Sequence, residues 1–168
     1  MNNKIKLVKF TIQHITPQYI GWLNDQKLVK YSEQRHSKHT YETCLEYYQS
    51  FLGSPDLFYA VINVKTDEHV GNIKATIDTN NSVADIAILI AKGNHGYGFT
   101  AWSKMIEILF NEKKIRKITA GTMAINHPMI TIFKKSNMKE EYRKKRQFMI
   151  ENQEIDLLGF CLFNSQCN

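Results

Sequence analysis

The stretch Ile88-Leu-Ile-Ala-Lys-Gly-Asn-His-Gly-Tyr-Gly-Phe-Thr-Ala101 carries the main fold signal of this chain. It begins at the end of a largely apolar segment at 83–91, which predicts a strand with both faces buried. Glycines then interrupt the chain, and apolar residues return at helical spacing over 99–113. The segment therefore predicts a strand, a glycine-rich loop and a helix in direct succession.

This junction has the features of a site for a diphosphate group. Backbone N–H groups at the start of a helix have no intrahelical partners, and the helix dipole adds partial positive charge there. Glycines let the backbone approach a ligand closely. We therefore expect residues 94–100 to hold a pyrophosphate.

Three ligand classes present a pyrophosphate to such a loop. Nucleoside triphosphate binding requires a lysine after the last glycine, whereas Phe99 follows Gly98 here. The dinucleotide fingerprint is present as Gly96, Gly98 and Ala101, but no acidic residue follows at the expected position about 20 residues on. An NAD-dependent oxidoreductase is thus a weaker hypothesis, and coenzyme A is the third class.

Hydrophobic periodicity over the rest of the chain predicts a single α/β (α+β) domain. Strands are expected at 4–11, 57–64, 69–77, 83–91, 115–125, 138–150 and 155–163, and helices at 17–24, 41–52, 99–113 and 128–136. This order contains one central βαβ crossover among hairpins. It predicts a mixed, mostly antiparallel sheet of about seven strands with helices on both faces.

Length and composition limit the remaining possibilities. The 168 residues predict one domain over 1–163 with a short tail at 164–168. The longest apolar run has six residues, against about 20 for a membrane span, and the N-terminus lacks an apolar signal core, so a cytoplasmic protein without a membrane partner is expected. Three scattered cysteines predict no metal site, and the basic runs behind the net charge of +6 lack a nucleic-acid module. A monomer or homodimer is expected.

Two motifs make the chain resemble the GNAT family of acetyl-CoA-dependent N-acetyltransferases. The family loop reads Gln or Arg, two variable residues, Gly, one variable residue, then Gly or Ala; here Gly93 takes the first position and Gly96 and Gly98 fit the later ones. In the family the next strand ends in Asn, followed by a helix and Gly-Phe. Asn126 matches in spacing, and Asn137-Met138 stands at the Gly-Phe position. The tail and upstream segments are similar to the branch that acetylates ribosomal-protein N-termini and to its small-molecule relatives.

The resemblance implies that acetyl-CoA lies where two parallel strands, 83–91 and 115–125, splay apart. The residues that it assigns to the cofactor are Ile88, Leu89, Ile90, Asn94, His95, Gly96, Tyr97, Gly98, Phe99, Thr100, Asn126, Phe133 and Lys135.

For catalysis, the resemblance implies a backbone N–H that polarises the thioester carbonyl, assigned to Leu89. Asp85 and His36 are the candidate bases, with His39 and Glu33 as further ones. Many family members place a tyrosine as acid seven residues after the asparagine, but this chain has Phe133 there.

A site without an obvious strong base favours an amine of low pKa. An α-amine with a pKa of about 7.7–8.0 is far more often neutral at pH 7 than a lysine side chain with a pKa of about 10.4. We therefore expect a small-molecule acceptor such as a nucleotide-linked amino sugar, which the basic net charge also suits. The alternatives are an N-terminal acetyltransferase acting on a ribosomal or other protein, and a catalytically silent acyl-CoA-binding module.

Overall fold

The structure, a computed structural model, describes residues 4–91 and 95–165. Its strands are β1 (Ile5–Lys9), β2 (Leu57–Asn63), β3 (His69–Asp78), β4 (Val83–Ile90), β5 (Lys117–Met123), β6 (Lys139–Ile150) and β7 (Gln153–Phe163). Its helices are α1 (Pro17–Asn24), α2 (Tyr41–Gln49), α3 (Tyr97–Glu107), which continues as a π-helical turn at Ile108–Glu112, and α4 (His127–Lys135). Short 3₁₀ helices occupy Ile12–His14 and Glu33–His36. The predicted order of elements is confirmed.

The strands form one seven-stranded sheet in the order β1-β2-β3-β4-β5-β7-β6. Of the strand pairs that the structure describes, only β4 and β5 run parallel, and α3 makes the crossover between them. The predicted mixed, mostly antiparallel sheet with one central βαβ unit is confirmed.

The parallel pair is joined over only part of its length. β4 and β5 align at Val83 with Lys117, Ala84 with Ile118, and Asp85 with Thr119, and the register ends there. Both strands continue for four or five residues beyond that point, to Ile90 and Met123. They therefore part into a V, as the resemblance implied.

Helices cover both faces of the sheet. The larger core packs α3 and α4 against strand residues such as Ile73, Ile86 and Ile118. A second core packs α1 and α2 against Phe58 and Ala60 of β2 on the opposite face. Successive strand residues alternate between these two faces.

Two sequence expectations need correction. The strand at 83–91 does not bury both faces, because Asp85 and Ala87 are exposed between buried Ala84 and Ile86. The face of β4 that carries Asp85 borders open cavities. The apolar residues on that face therefore form the wall of a site and are not core residues. Asn164, assigned to the tail, is 5% exposed and its side-chain amide donates to Ile115 O at 3.2 Å. It is therefore part of the fold.

Candidate active site

A cleft opens where β4 and β5 part, with a volume of ≈ 270 Å³. Its walls come from both strands, from α3 and α4, from the segment between α1 and α2, and from the β6–β7 hairpin. The lining residues that matter below are Glu33, Asp85, Ile86, Ala87, Ile88, Trp102, Thr122, Asn126, Met129, Phe133 and Phe148.

The backbone of β4 presents unpaired groups to this cleft. Ala91 N–H donates to Val70 O on the β3 side, and Arg116 N–H donates to Ser82 O on the β5 side. Because directions alternate along a strand, odd residues of β4 bond toward β3 and even residues face β5. Beyond the pair of Asp85 with Thr119, no described β5 residue is paired with β4, so the N–H and C=O groups of Ile88 and Ile90 border the opening.

This alternation corrects the assignment of Leu89 as the N–H donor. Leu89 pairs with Asn72 of β3, and its carbonyl oxygen lies 2.4 Å from where a Cβ on Gly71 would be. The amide of Leu89 therefore points into the β3–β4 ladder. The N–H of Ile88 faces the opening instead, as the alternation of hydrogen-bond directions along β4 shows.

The start of α3 is an uncapped helix N-terminus. Gly96 is its N-cap with φ +74°, a left-handed conformation that favours glycine, and no side chain of residues 4–91 or 95–165 caps the helix. The first intrahelical bond runs from Thr100 N–H to Gly96 O at 3.2 Å, which leaves the N–H groups of residues 97–99 for a ligand. By contrast, Thr16, Thr40 and Asn126 cap α1, α2 and α4 with their side chains. Asn94, also assigned to the cofactor, lies outside the described residues.

Gly98 serves packing at the same junction. A Cβ on Gly98 would lie 3.1 Å from Ile132 of α4 and 3.7 Å from Ile90 of β4. Gly98 thus lets the helix start lie close to the open edge of β4. His95 stacks on Tyr97 with ring centroids 5.0 Å apart, and the Tyr97 hydroxyl accepts a bond from Asn63 at 2.9 Å.

Asn126 joins β5 to α4 at the cleft wall. Its Oδ1 accepts from Met129 N–H at 3.4 Å, and its Nδ2 donates to Thr122 Oγ1 at 2.9 Å. These bonds fix the amide while its second N–H remains able to donate to a ligand. At the other end of α4, Asn137 adopts φ +60°, which explains how asparagine replaces the usual glycine there, and Met138 is buried in place of phenylalanine.

Phe133 forms the apolar floor of the cleft. It is 1% exposed and packs against Trp102 and Phe160, with ring centroids 5.3 and 4.8 Å away. The Nε1 of Trp102 is buried without a hydrogen-bond partner in the described part of the chain. An apolar floor, free backbone amides and a bare helix N-terminus together fit a long thiol-bearing arm that ends in a diphosphate.

Asp85 lies at the point where the two strands separate. Its Oδ2 accepts a bond from Thr119 Oγ1 at 2.8 Å. Burial raises the pKa of the Asp85 carboxyl, although the bond from Thr119 and the charge of Lys74 act in the opposite direction. A carboxylate with a raised pKa in a cleft has the property of a proton acceptor.

Three other sequence candidates are placed differently. His36 is exposed on the 3₁₀ helix Glu33–His36, with its Nε2 4.0 Å from Glu33 Oε2. It is not among the described residues that line the cleft. Lys135 is exposed in the last turn of α4 and does not line it either. His39 borders a neighbouring cavity, with Nε2 buried and unpartnered in residues 4–91 and 95–165.

Two adjoining cavities lie between the sheet and the helices α1 and α2. Their volumes are ≈ 120 and ≈ 170 Å³, and they share Tyr19, Leu23, Gln34 and Tyr47. The first reaches Lys74 of β3 and 87–89 of β4, so it meets the cleft along that strand. Sequence reasoning missed Lys74, although alternation along β3 places Lys74 on the face opposite buried Ile73 and Ala75.

Neither a metal cluster nor a membrane-spanning helix is found in the described ranges. No group of three His, Cys, Asp or Glu side chains there is arranged to hold a metal ion. None of the helices there is both long and apolar enough to cross a bilayer.

Comparison with known proteins completes the description of the site. The family model of the acetyltransferase (GNAT) domain matches residues 4–139, and no curated protein matches the chain. Spermidine N-acetyltransferase from Vibrio cholerae, solved with CoA and spermine, has a TM-score of 0.86 at 15% identity over 98% of each chain. A dodecameric form of that enzyme has a TM-score of 0.81 at 16% identity, and the match covers 99% of this chain and 97% of its own. A GNAT-family acetyltransferase from Bacillus anthracis has a TM-score of 0.80 at 19% identity, and the match covers 96% of each chain.

At these identities the solved structures show a shared fold, and the family model covers most of the chain. The parted strands, the glycine junction and the Asn126 position agree with that match. The chain belongs to the GNAT family of acetyltransferases.

Proposed function

We propose that this chain transfers the acetyl group of acetyl-CoA to a primary amine of low pKa on a small molecule, such as an amino sugar. One observation carries the proposal: the part of β4 that is not paired with β5 lies next to the start of α3, where a Cβ on Gly98 would be 3.7 Å from Ile90. Backbone donors on both elements therefore lie close enough together to suit one extended thioester and its diphosphate. The free thiols of Cys44 and Cys161, both buried, agree with a reducing, cytoplasmic setting.

Binding would divide between backbone and side chains. The amides at the start of α3 would hold the diphosphate, and Asn126 would bond the arm between them. The N–H of Ile88 is our candidate for the donor that stabilises the oxyanion, because it faces the opening and is already fixed by the sheet.

Transfer requires that an N–C bond form as the C–S bond breaks. Asp85 would take the proton that the attacking amine loses, and its raised pKa suits that role. Phe133 has no hydroxyl to protonate the departing thiolate, so we assign that proton to solvent. Much of the acceleration would then come from positioning the two reactants.

A second candidate function rests on Phe133. A module that binds acyl-CoA without catalysis would keep the track on β4 and α3 and lose the acid on α4. Only a measurement of turnover distinguishes it from an enzyme.

Calorimetry with acetyl-CoA, CoA and NAD, followed by thiol release with a panel of amines, tests the proposal. We expect binding of both CoA forms, no binding of NAD, and thiol release with low-pKa small amines. Tight binding without thiol release for any amine would favour the silent module. Release only with peptide N-termini would favour the protein acetyltransferase.

A further inference from the structure

We propose that the acceptor is an amine that also carries an anionic group, and that Lys74 binds this group. The inference rests on the proposed function and concerns the two cavities beneath α1 and α2. It gives the acceptor three parts: an amine directed toward β4, an apolar or sugar-like body, and an anion.

The sheet register places Lys74 beside β4, the strand that carries the proposed oxyanion donor. Lys74 pairs across β3–β4 with Ala87 and across β2–β3 with Phe58. All three residues line the same cavity, which continues to Ile88 and Leu89. An anion at Lys74 would therefore lie beside β4, one of the two strands that border the cleft.

Neighbouring groups hold the Lys74 ammonium in position. Its Nζ donates to the Tyr47 hydroxyl at 2.6 Å and lies 5.2 Å from the centre of the Tyr47 ring. Tyr47 accepts only one of the three N–H donors of an ammonium. Tyr47 also lines both cavities, so the positioned charge belongs to the cavity wall.

The balance of charge in the cavities favours an anion. Among the described residues that line them, Lys74 is the one with a fixed formal charge. The nearby carboxylates, Glu33 and Asp85, line the cleft instead. A polyamine would bring several positive charges toward a wall whose own fixed charge is the Lys74 ammonium, so this wall disfavours polyamines and favours anions.

The remaining walls suit a compact body with polar edges. Tyr19, Tyr47 and Phe58 supply aromatic faces, while Gln34 and Asn72 supply amides. Flat apolar faces with a few polar groups are typical of small-molecule sites. A phosphorylated amino sugar and an α-amino acid both combine an amine with an anion at this scale.

Matched amines test the proposal directly. We expect kcat/KM for glucosamine 6-phosphate to exceed that for glucosamine by about tenfold or more, since a bond to a charged partner is worth about 1.5–3 kcal/mol. An α-amino acid and its amide form a second pair, which distinguishes a carboxylate from a phosphate as the anion. Spermidine should be a poor acceptor.

Lys74 variants connect the preference to this residue. Lys74→Met should bring the ratio of kcat/KM values within the preferred pair of amines close to one and leave the affinity for acetyl-CoA unchanged. Lys74→Arg should keep most of the preference, and Lys74→Glu should shift it toward spermidine. Lys9→Met is the control, because Lys9 is an exposed cation on β1 whose loss changes net charge equally.

Calorimetry with the CoA-loaded protein gives a readout that does not need turnover. Tighter binding of the anionic member of a pair, lost in Lys74→Met, supports the inference even if the protein is catalytically silent. Equal binding within both pairs, a preference that survives Lys74→Met, or spermidine as the best acceptor would overturn it. None of these results would contradict acetyl transfer itself.

Discussion

Asp85 has two properties that conflict in a purely structural acid. It accepts a bond from Thr119 at the end of the paired part of β4, and although it lines the open cleft, desolvation raises the pKa of its carboxyl more than Thr119 and the charge of Lys74 lower it. Between the ordinary pKa of 3.8 and the raised value, the folded state binds more protons than the unfolded state. Stability therefore falls as pH rises through that range, so the ionised carboxylate makes the fold less stable at neutral pH.

Asp85→Asn is expected to separate activity from stability. Loss of a general base should lower kcat/KM by about 10²–10⁴-fold, while the midpoint of thermal unfolding at pH 7 stays equal or rises. Steady-state kinetics and thermal melts of the same preparation measure both. In Thr119→Val, which removes a bond that lowers the Asp85 pKa, the acidic limb of the pH–rate profile should move to higher pH. A profile that does not move would assign the base to another group.

Phe133→Tyr is expected to leave kcat unchanged or raise it. The added hydroxyl would stand where many family members carry their acid, beside the thiol end of the cleft. Thiol-release kinetics measure the effect. Phe160→Tyr is the matched control, because Phe160 packs on Phe133 but is not among the described cleft residues. A large loss of kcat in Phe133→Tyr alone would show that the phenyl ring shapes the site.

At the scale of single elements, helix caps and turn residues in the sequence agree with the helices and turns of the structure. Thr16 and Thr40 cap the two helices that were expected to begin at residues 17 and 41, and the hairpin between β6 and β7 turns through Glu151 and Asn152, both with positive φ. The direction of the Leu89 amide was not predictable in this way. It depends on which residues of β4 bond to β3 and which face β5. That pairing joins segments that are far apart in the chain.

Gly96→Ala is expected to weaken acetyl-CoA binding and to destabilise the fold by about 1–2 kcal/mol, since φ is positive at this residue. The matched control is Gly53→Ala: Gly53 has φ +78° after α2, and space for a Cβ is open at both glycines. Both variants should lower stability in urea unfolding by similar amounts. Only Gly96→Ala should raise the Kd for acetyl-CoA in calorimetry. Equal effects on Kd would mean that the diphosphate is not held at the start of α3.

At the scale of the whole molecule, two half-buried histidines connect the N-terminal segment to the sheet. His14 follows β1, His69 opens β3, and their ring centroids lie 5.5 Å apart. His69 Nε2 lies 2.8 Å from Asn72 Oδ1. Burial lowers the pKa of both histidines, so the fold favours their neutral forms.

Stability should therefore decrease on acidification. Below the ordinary histidine pKa of 6.5 the unfolded chain takes up protons that the folded chain does not, so the free energy of unfolding falls until the lowered pKa values are passed. Urea unfolding at a series of pH values between about 4 and 8 measures this slope. His69→Gln should reduce it, whereas exposed His36→Gln should not. An equal slope in the His69 variant would place the titrating groups elsewhere.

Local sequence was enough to define the elements, their order and the glycine junction, because helix periodicity, strand alternation and capping act within a few residues. Asn126 was proposed from the family resemblance and Asp85 as a candidate base from its place on the apolar strand, and the structure shows both lining the cleft. The opening between β4 and β5, the exposure of Asp85 and the position of Lys74 beside Ala87 followed from the assembled sheet alone. Each depends on pairing between strands separated along the chain, and that pairing is fixed only when α3 and α4 pack on one face and α1 and α2 on the other.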